Sequence, residues 1–89
     1  MASGPGVAHA ATEVTIRYWA SARAAAGCDS ERFTGADVGE VLRAAAAAHT
    51  GLGVVLEVST ILRDGRPVKA AEALLPGAFL EVLPPFAGG

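Results

Sequence analysis

Between Glu13 and Trp19 the apolar residues Val14, Ile16 and Tyr18 alternate with Thr15 and Arg17, a period of two that predicts a half-buried first strand. Ala20–Ala26 is alanine-rich and closes at Gly27, which suits a short helical turn with a left-handed cap. A weaker second strand is centred on Phe33 over Ser30–Thr34, and Gly35 ends it. Asp37, followed three residues later by Glu40, has the form of a capping box. From there Val38, Val41, Leu42, Ala45 and Ala48 recur at helical spacing, predicting a helix over Val38–His49 with Gly51 as its terminal cap. A loop through Gly51 and Gly53 should lead to a strand over Val58–Arg63. Asp64-Gly65 then marks a tight hairpin, with a return strand over Arg66–Lys69. Pro76-Gly77 signals another turn, and Ala78–Leu83 reads as a last, largely buried strand that Pro84 must terminate because it has no amide to donate.

Strand, weak strand, helix, hairpin, strand describes an α+β domain in which one main helix packs across a mixed sheet. The order fits a ubiquitin-like β-grasp, in which the first and last strands lie side by side in the sheet centre and the C-terminal segment leaves the body as an arm. A chain of 89 residues supports one core of modest stability. Hydrophobic residues make up 52%, but many are alanine, so the core volume must come from larger side chains such as Val14, Ile16, Tyr18, Trp19, Phe33, Leu52, Leu75 and Leu80. Residues 1–12 contain no large side chain and read as a loose leader, residues 13–83 as the body, and residues 84–89 as a projecting tail.

The formal net charge of −2 and the dispersed basic residues argue against a nucleic-acid or anionic-lipid surface. No apolar run is long enough to span a bilayer and the N-terminal stretch lacks a secretory pattern, so the expected location is the cytoplasm. Cys28 is the single cysteine, which excludes an internal disulfide and a cluster of several thiolates. No nucleophile elbow, phosphate-binding loop or His/Cys set with ligand spacing is visible, and no resident metal is expected. His9 falls in the leader, and His49 at a helix end, where a cation suits the dipole. Cys28 has no basic partner nearby in sequence, so it reads as a small filler or surface residue. Glu57 and Glu81 read as isolated, solvated carboxylates.

The candidate chemistry is concentrated in Pro84-Pro85-Phe86-Ala87-Gly88-Gly89. Two prolines bias the backbone toward an extended, semi-stiff arm. Phe86 would be an aromatic anchor for a partner's pocket. Gly88 and Gly89 have no Cβ, so a narrow channel could enclose the backbone and admit the terminal carboxylate to a buried site. ATP can activate a carboxylate as an acyl-adenylate, which then accepts sulfur as a thiocarboxylate.

The stretch Val14-Thr15-Ile16-Arg17-Tyr18-Trp19-Ala20-Ser21-Ala22-Arg23, the hairpin Ile61-Leu62-Arg63-Asp64-Gly65-Arg66-Pro67-Val68 and above all the ending Leu83-Pro84-Pro85-Phe86-Ala87-Gly88-Gly89 resemble the MoaD/ThiS family of sulfur carriers. The double proline is most similar to the molybdopterin synthase small-subunit branch. Leu75-Pro76-Gly77-Ala78-Phe79 is apolar where the family commonly has an acidic turn. The resemblance implies that Gly89 carries the adenylate and then the thiocarboxylate, that Gly88 and Ala87 give the tail access, and that Phe86, Pro85, Pro84, Phe79 and Arg23 contact partners. It implies no enzyme activity for the chain alone and no cofactor bound to it. The implied partners are an E1-like adenylyltransferase of the MoeB type using ATP and magnesium, a persulfide sulfurtransferase, and a synthase large subunit of the MoaE type. Sulfur would pass to a pterin precursor of the molybdenum cofactor. The alternatives are a carrier for cysteine or thiamin synthesis, a ubiquitin-like modifier, and an interaction domain with an inert tail.

Overall fold

The structure, a computed structural model, describes residues 11–85. Most of the expected leader, His9, and the tail positions Phe86, Ala87, Gly88 and Gly89 lie outside the described residues.

Five strands and three helices follow in the order β1 (Thr12–Tyr18), α1 (Ala20–Ala26), β2 (Ser30–Gly35), α2 (Val38–Ala48), α3 (Leu52–Val58), β3 (Thr60–Arg63), β4 (Arg66–Pro67) and β5 (Phe79–Leu83). They form one mixed sheet of order β2-β1-β5-β3-β4. β1 runs parallel to β5, with Ile16 beside Leu80 and Tyr18 beside Val82, so the first and last strands are central neighbours as the β-grasp expectation required. β1 starts at Thr12, one residue earlier than expected, and the leader boundary moves back with it.

Alternation along the strands builds the two faces. Val14, Ile16, Tyr18, Leu80, Val82 and Ile61 point toward the helices and are buried. From the helix layer Ala22 and Ala26 of α1, Val38, Val41 and Ala45 of α2, and Leu52 of α3 complete the same core. Burying a Val, Leu or Ile side chain of this kind contributes about 1.5–3 kcal/mol. Two members expected inside are outside: Trp19 is 38% exposed and Leu75 70% exposed. The polypeptide turns sharply at Ala20, whose φ of 50° lies in the left-handed region, and Trp19 is left beyond the last inward position of β1.

The start of α2 matches its capping box. Asp37 accepts from the Glu40 amide at 2.8 Å, while the Glu40 carboxylate accepts from the Ala36 amide at 2.7 Å. The next free amides of α2 are met by the connection between β4 and β5: Val38 N–H donates to Glu72 O and Gly39 N–H to Ala70 O, both at 2.9 Å. Leu74 N–H returns a bond to Ala36 O at 3.0 Å, and its side chain is buried. Arg63 at the end of β3 reaches Glu72 at 2.9 Å, holding the same connection from the sheet side.

Several boundaries differ from the sequence expectation. Leu52–Val58 is a helix, not a loop leading to a strand that begins at Val58, and β3 starts at Thr60. Gly51, expected to end α2, begins α3 with φ 90°, and α2 itself ends at Ala48 with extended His49 as its cap. The return strand spans Arg66–Pro67 only, because Pro67 cannot donate to the ladder, although Val68 N–H still bonds Ile61 O at 2.9 Å. The last strand starts at Phe79; Ala78 is buried just before it. The hairpin turn is as expected, with positive φ at both Asp64 and Gly65.

Candidate functional site

β5 brings the chain to the site. Its inward residues Leu80 and Val82 are completely buried, which fixes the strand in the middle of the sheet. Leu83 pairs with Thr60 in the ladder, and Trp19 N–H donates to Val82 O at 3.2 Å, the last bond described on the β1 side. Pro84 is then half-buried and Pro85 exposed, so the polypeptide leaves the ladder where the missing proline amides end it.

The sheet face opposite the helices borders this exit. Thr15, Arg17, Phe79, Glu81, Leu83, Thr60 and Leu62 alternate out from the core, and in register they form the rows Thr15 beside Phe79, Arg17 beside Glu81 beside Leu62, and Thr60 beside Leu83. Phe79 is 36% exposed on this face, a large apolar group facing solvent. Trp19 lies at its upper edge. The Arg17 guanidinium stacks 4.4 Å from the centre of the Trp19 ring, and the indole N–H donates to Glu81 at 3.1 Å. A cation over an aromatic ring at an exposed site is worth about 0.5–1 kcal/mol. Glu81 is therefore engaged and not simply solvated as expected, whereas Glu57 is exposed as expected.

Among the expected partner-contact residues, the structure places Phe79 on the uncovered face and Pro84 and Pro85 at its end. Arg23 sits apart from them on α1, and its described ionic partner is Asp29 at 3.3 Å, both side chains being well exposed. Trp19 and Arg17 join Phe79 on the uncovered face, although the sequence pattern pointed to neither as a contact residue. The clue available was position: both sit at the end of a strand whose parallel neighbour carries the tail.

A second group converges elsewhere. Cys28 in the turn after α1, Glu31 on β2 and His49 at the end of α2 bring one ligand atom each within 4.8 Å of one another. His49 Nε2 meets Glu31 Oε2 at 2.5 Å, and Tyr18 donates its hydroxyl to the same oxygen at 2.7 Å. Burial and Glu31 push the Tyr18 phenol far above its ordinary range. Desolvation, with Glu31 and Asp29, also raises the Cys28 thiol. Spacing along the chain could not reveal this group, which is assembled in space from three elements, and His49 is tied to Glu31 in addition to capping its helix.

A parallel pair of terminal strands at the centre of a mixed sheet, crossed among the described residues by helices on one face only, defines a ubiquitin-like protein. The ThiS family model matches residues 16–89, and the chain belongs to this ThiS/MoaD family of sulfur carriers. The small archaeal modifier protein SAMP1 of Haloferax volcanii is similar at 27% identity and a TM-score of 0.78, over 86% of this chain and 99% of that one. A candidate molybdopterin converting factor subunit 1 of Pyrococcus furiosus is similar at 26% identity and a TM-score of 0.75, over 83% of this chain and 98% of its own. A complex of subunits 1 and 2 of the molybdopterin-converting factor of Helicobacter pylori contains the same fold at 23% identity and a TM-score of 0.66, over 88% of this chain and 100% of that one. No curated protein sequence matches the chain.

Proposed function

We propose that the chain is a sulfur carrier for molybdenum-cofactor synthesis, acting as the small subunit of a molybdopterin synthase. Gly89 is the reacting residue. Its carboxylate attacks the α-phosphate of ATP, held with magnesium on an E1-like enzyme, and forms an acyl-adenylate with loss of pyrophosphate. A persulfide on a sulfurtransferase displaces AMP, and reductive cleavage of the resulting acyl disulfide by a thiol leaves the thiocarboxylate. The loaded tail then enters the large subunit, which supplies the catalytic side chains for transfer to the pterin precursor. Gly88 and Ala87 permit entry, Phe86 anchors the tail, and Phe79, Pro84 and Pro85 dock the body; Arg23 serves a contact on the helix side.

The observation that carries this reading is the exit of β5 from the sheet centre at Pro84-Pro85, next to an uncovered face bearing Phe79 and Trp19. That geometry lets one partner grip the body while the residues beyond Pro85 reach into it. The two-subunit complex described for the Helicobacter pylori protein supports a docking role, and the family match supports the carrier chemistry. Intact-mass measurement after incubation with ATP, magnesium, an E1-like adenylyltransferase and a persulfide donor tests it. Exchange of one oxygen for sulfur at Gly89, followed by dithiolene formation when a large subunit and precursor are added, is the expected result. An unchanged mass in the presence of an activator competent on another carrier would refute the carrier chemistry.

A second reading, a protein modifier, is favoured by the similarity to the small archaeal modifier protein. It predicts a stable adduct between Gly89 and lysine amines in the same assay. A loaded thiocarboxylate that serves a thiazole or cysteine acceptor, but not the pterin precursor, would move the chain to a thiamin or cysteine pathway.

A further inference from the structure

We propose that Cys28, Glu31 and His49 form a binding site for one divalent transition metal of the zinc class. The three side chains come from the turn after α1, from β2 and from the end of α2, and their ligand atoms already lie within 4.8 Å of one another. A tetrahedral zinc ion takes sulfur at about 2.3 Å and nitrogen or oxygen at about 2.0–2.2 Å, so small rotations of half-buried side chains would complete the approach. A thiolate with an imidazole and a carboxylate selects zinc, cobalt or nickel over magnesium or calcium, which require oxygen ligands.

The surroundings suit a cation. Glu31 stands between His49 and Tyr18, and both described hydrogen bonds to it use Oε2, which leaves Oε1 without a hydrogen bond among the described residues. Tyr18 holds that carboxylate in place from the outer shell, as partners of metal-binding carboxylates do. The Tyr18 and His49 rings pack edge to face at 6.5 Å, which orients the imidazole. In the metal-bound form the contact between His49 Nε2 and Glu31 Oε2 would give way, the two ligand atoms moving apart to admit the ion. Three protein ligands leave a fourth position for water or a donor from a partner. The site is independent of the tail chemistry.

Cobalt(II), used as a spectroscopic substitute, provides the test on the full chain. Titration should give one saturable equivalent, with visible bands of a tetrahedral ion and a near-ultraviolet sulfur-to-cobalt charge-transfer band, and zinc should displace it. Cys28→Ser should abolish the charge-transfer band. Glu31→Gln should weaken binding at least tenfold, and Tyr18→Phe on the order of tenfold by loosening the outer shell. His9→Ala should leave the titration unchanged. Zinc should also raise the thermal midpoint of the wild-type protein but not of Cys28→Ala, a comparison that holds even if one variant folds poorly. A wild-type titration without the charge-transfer band would overturn the proposal, as would an affinity and spectrum that survive Cys28→Ser.

Discussion

Tyr18 joins the core to the polar cluster behind it. Its ring is 1% exposed and its hydroxyl is bonded to Glu31, so the folded state holds the phenol protonated well above the ordinary value of 10.0. An unfolded tyrosine ionises near that value. Stability is therefore fully present below about pH 10 and falls as the pH rises further, because the unfolded state then binds fewer protons than the native one. Tyr18→Phe should cost about 1 kcal/mol near neutrality, the value of one side-chain hydrogen bond, and should remove the steep part of the alkaline decline. Urea unfolding at a series of pH values checks both. Cys28 is shifted in the same direction from an ordinary value of 9.0, so a shallower decline starting at lower pH should persist in Tyr18→Phe and vanish when Cys28→Ala is added. None of this was legible in the sequence. Glu31 and His49 are 18 positions apart, and only the pairing of β2 with β1 and the extended cap at His49 bring them together.

Among the elements, α2 was the most readable because two independent signals agree on it: an apolar stripe and a capping box. Asp37→Ala should cost about 1 kcal/mol by leaving the Glu40 amide without its acceptor, measurable as a lower urea midpoint with unchanged slope. The close approach of β2 to α2 depends on Gly35, where an added Cβ would lie 2.7 Å from Val41 Cγ2. Gly35→Ala should therefore destabilise by about 1–3 kcal/mol through overpacking, read from the same unfolding experiment. α3 was missed for physical reasons. It is a single short element in which three valines and a glycine, types that do not favour helix, outnumber Leu52, Leu56 and Glu57, and Val54 and Val58 are exposed, which blurs any amphipathic pattern. The spacing of Leu52, Val55 and Leu56 was the available clue. Gly51 misled because a left-handed glycine serves equally to end one helix or to start the turn into the next.

At the scale of the whole molecule, the mixed sheet and the central placement of the first and last strands were legible from the element order, whereas the full strand order and the uncovered face beside the exit came only from the structure. The exposure of Trp19 and its stacking with Arg17 were not, because aromatic character alone cannot say on which side of a turn a residue falls. The reading of residues 84–89 as a tail outside the core has a direct test. Removing Gly89 should leave the thermal midpoint within about 1 °C of the parent, since a change at the terminus shifts stability by less than the roughly 4–8 °C that 1 kcal/mol moves in a domain of this size. The same deletion should abolish sulfur loading in the mass assay. Phe79→Ala and Phe86→Ala should each weaken large-subunit binding while the domain stays folded, as calorimetric titration and circular dichroism would report.

The parallel alignment of β1 and β5 has a mechanical consequence. Their outer ends point in opposite directions, so tension applied between the segment before Thr12 and the segment after Leu83 runs along both strands and loads their bridging bonds together instead of peeling them one at a time. A machine that tugs on the molecule from its two extremities meets a clamp, while the outer β3–β4 hairpin, gripped at its own ends, would open like a zipper. Single-molecule pulling with handles at the two extremities should give a markedly higher rupture force than handles placed across β3 and β4.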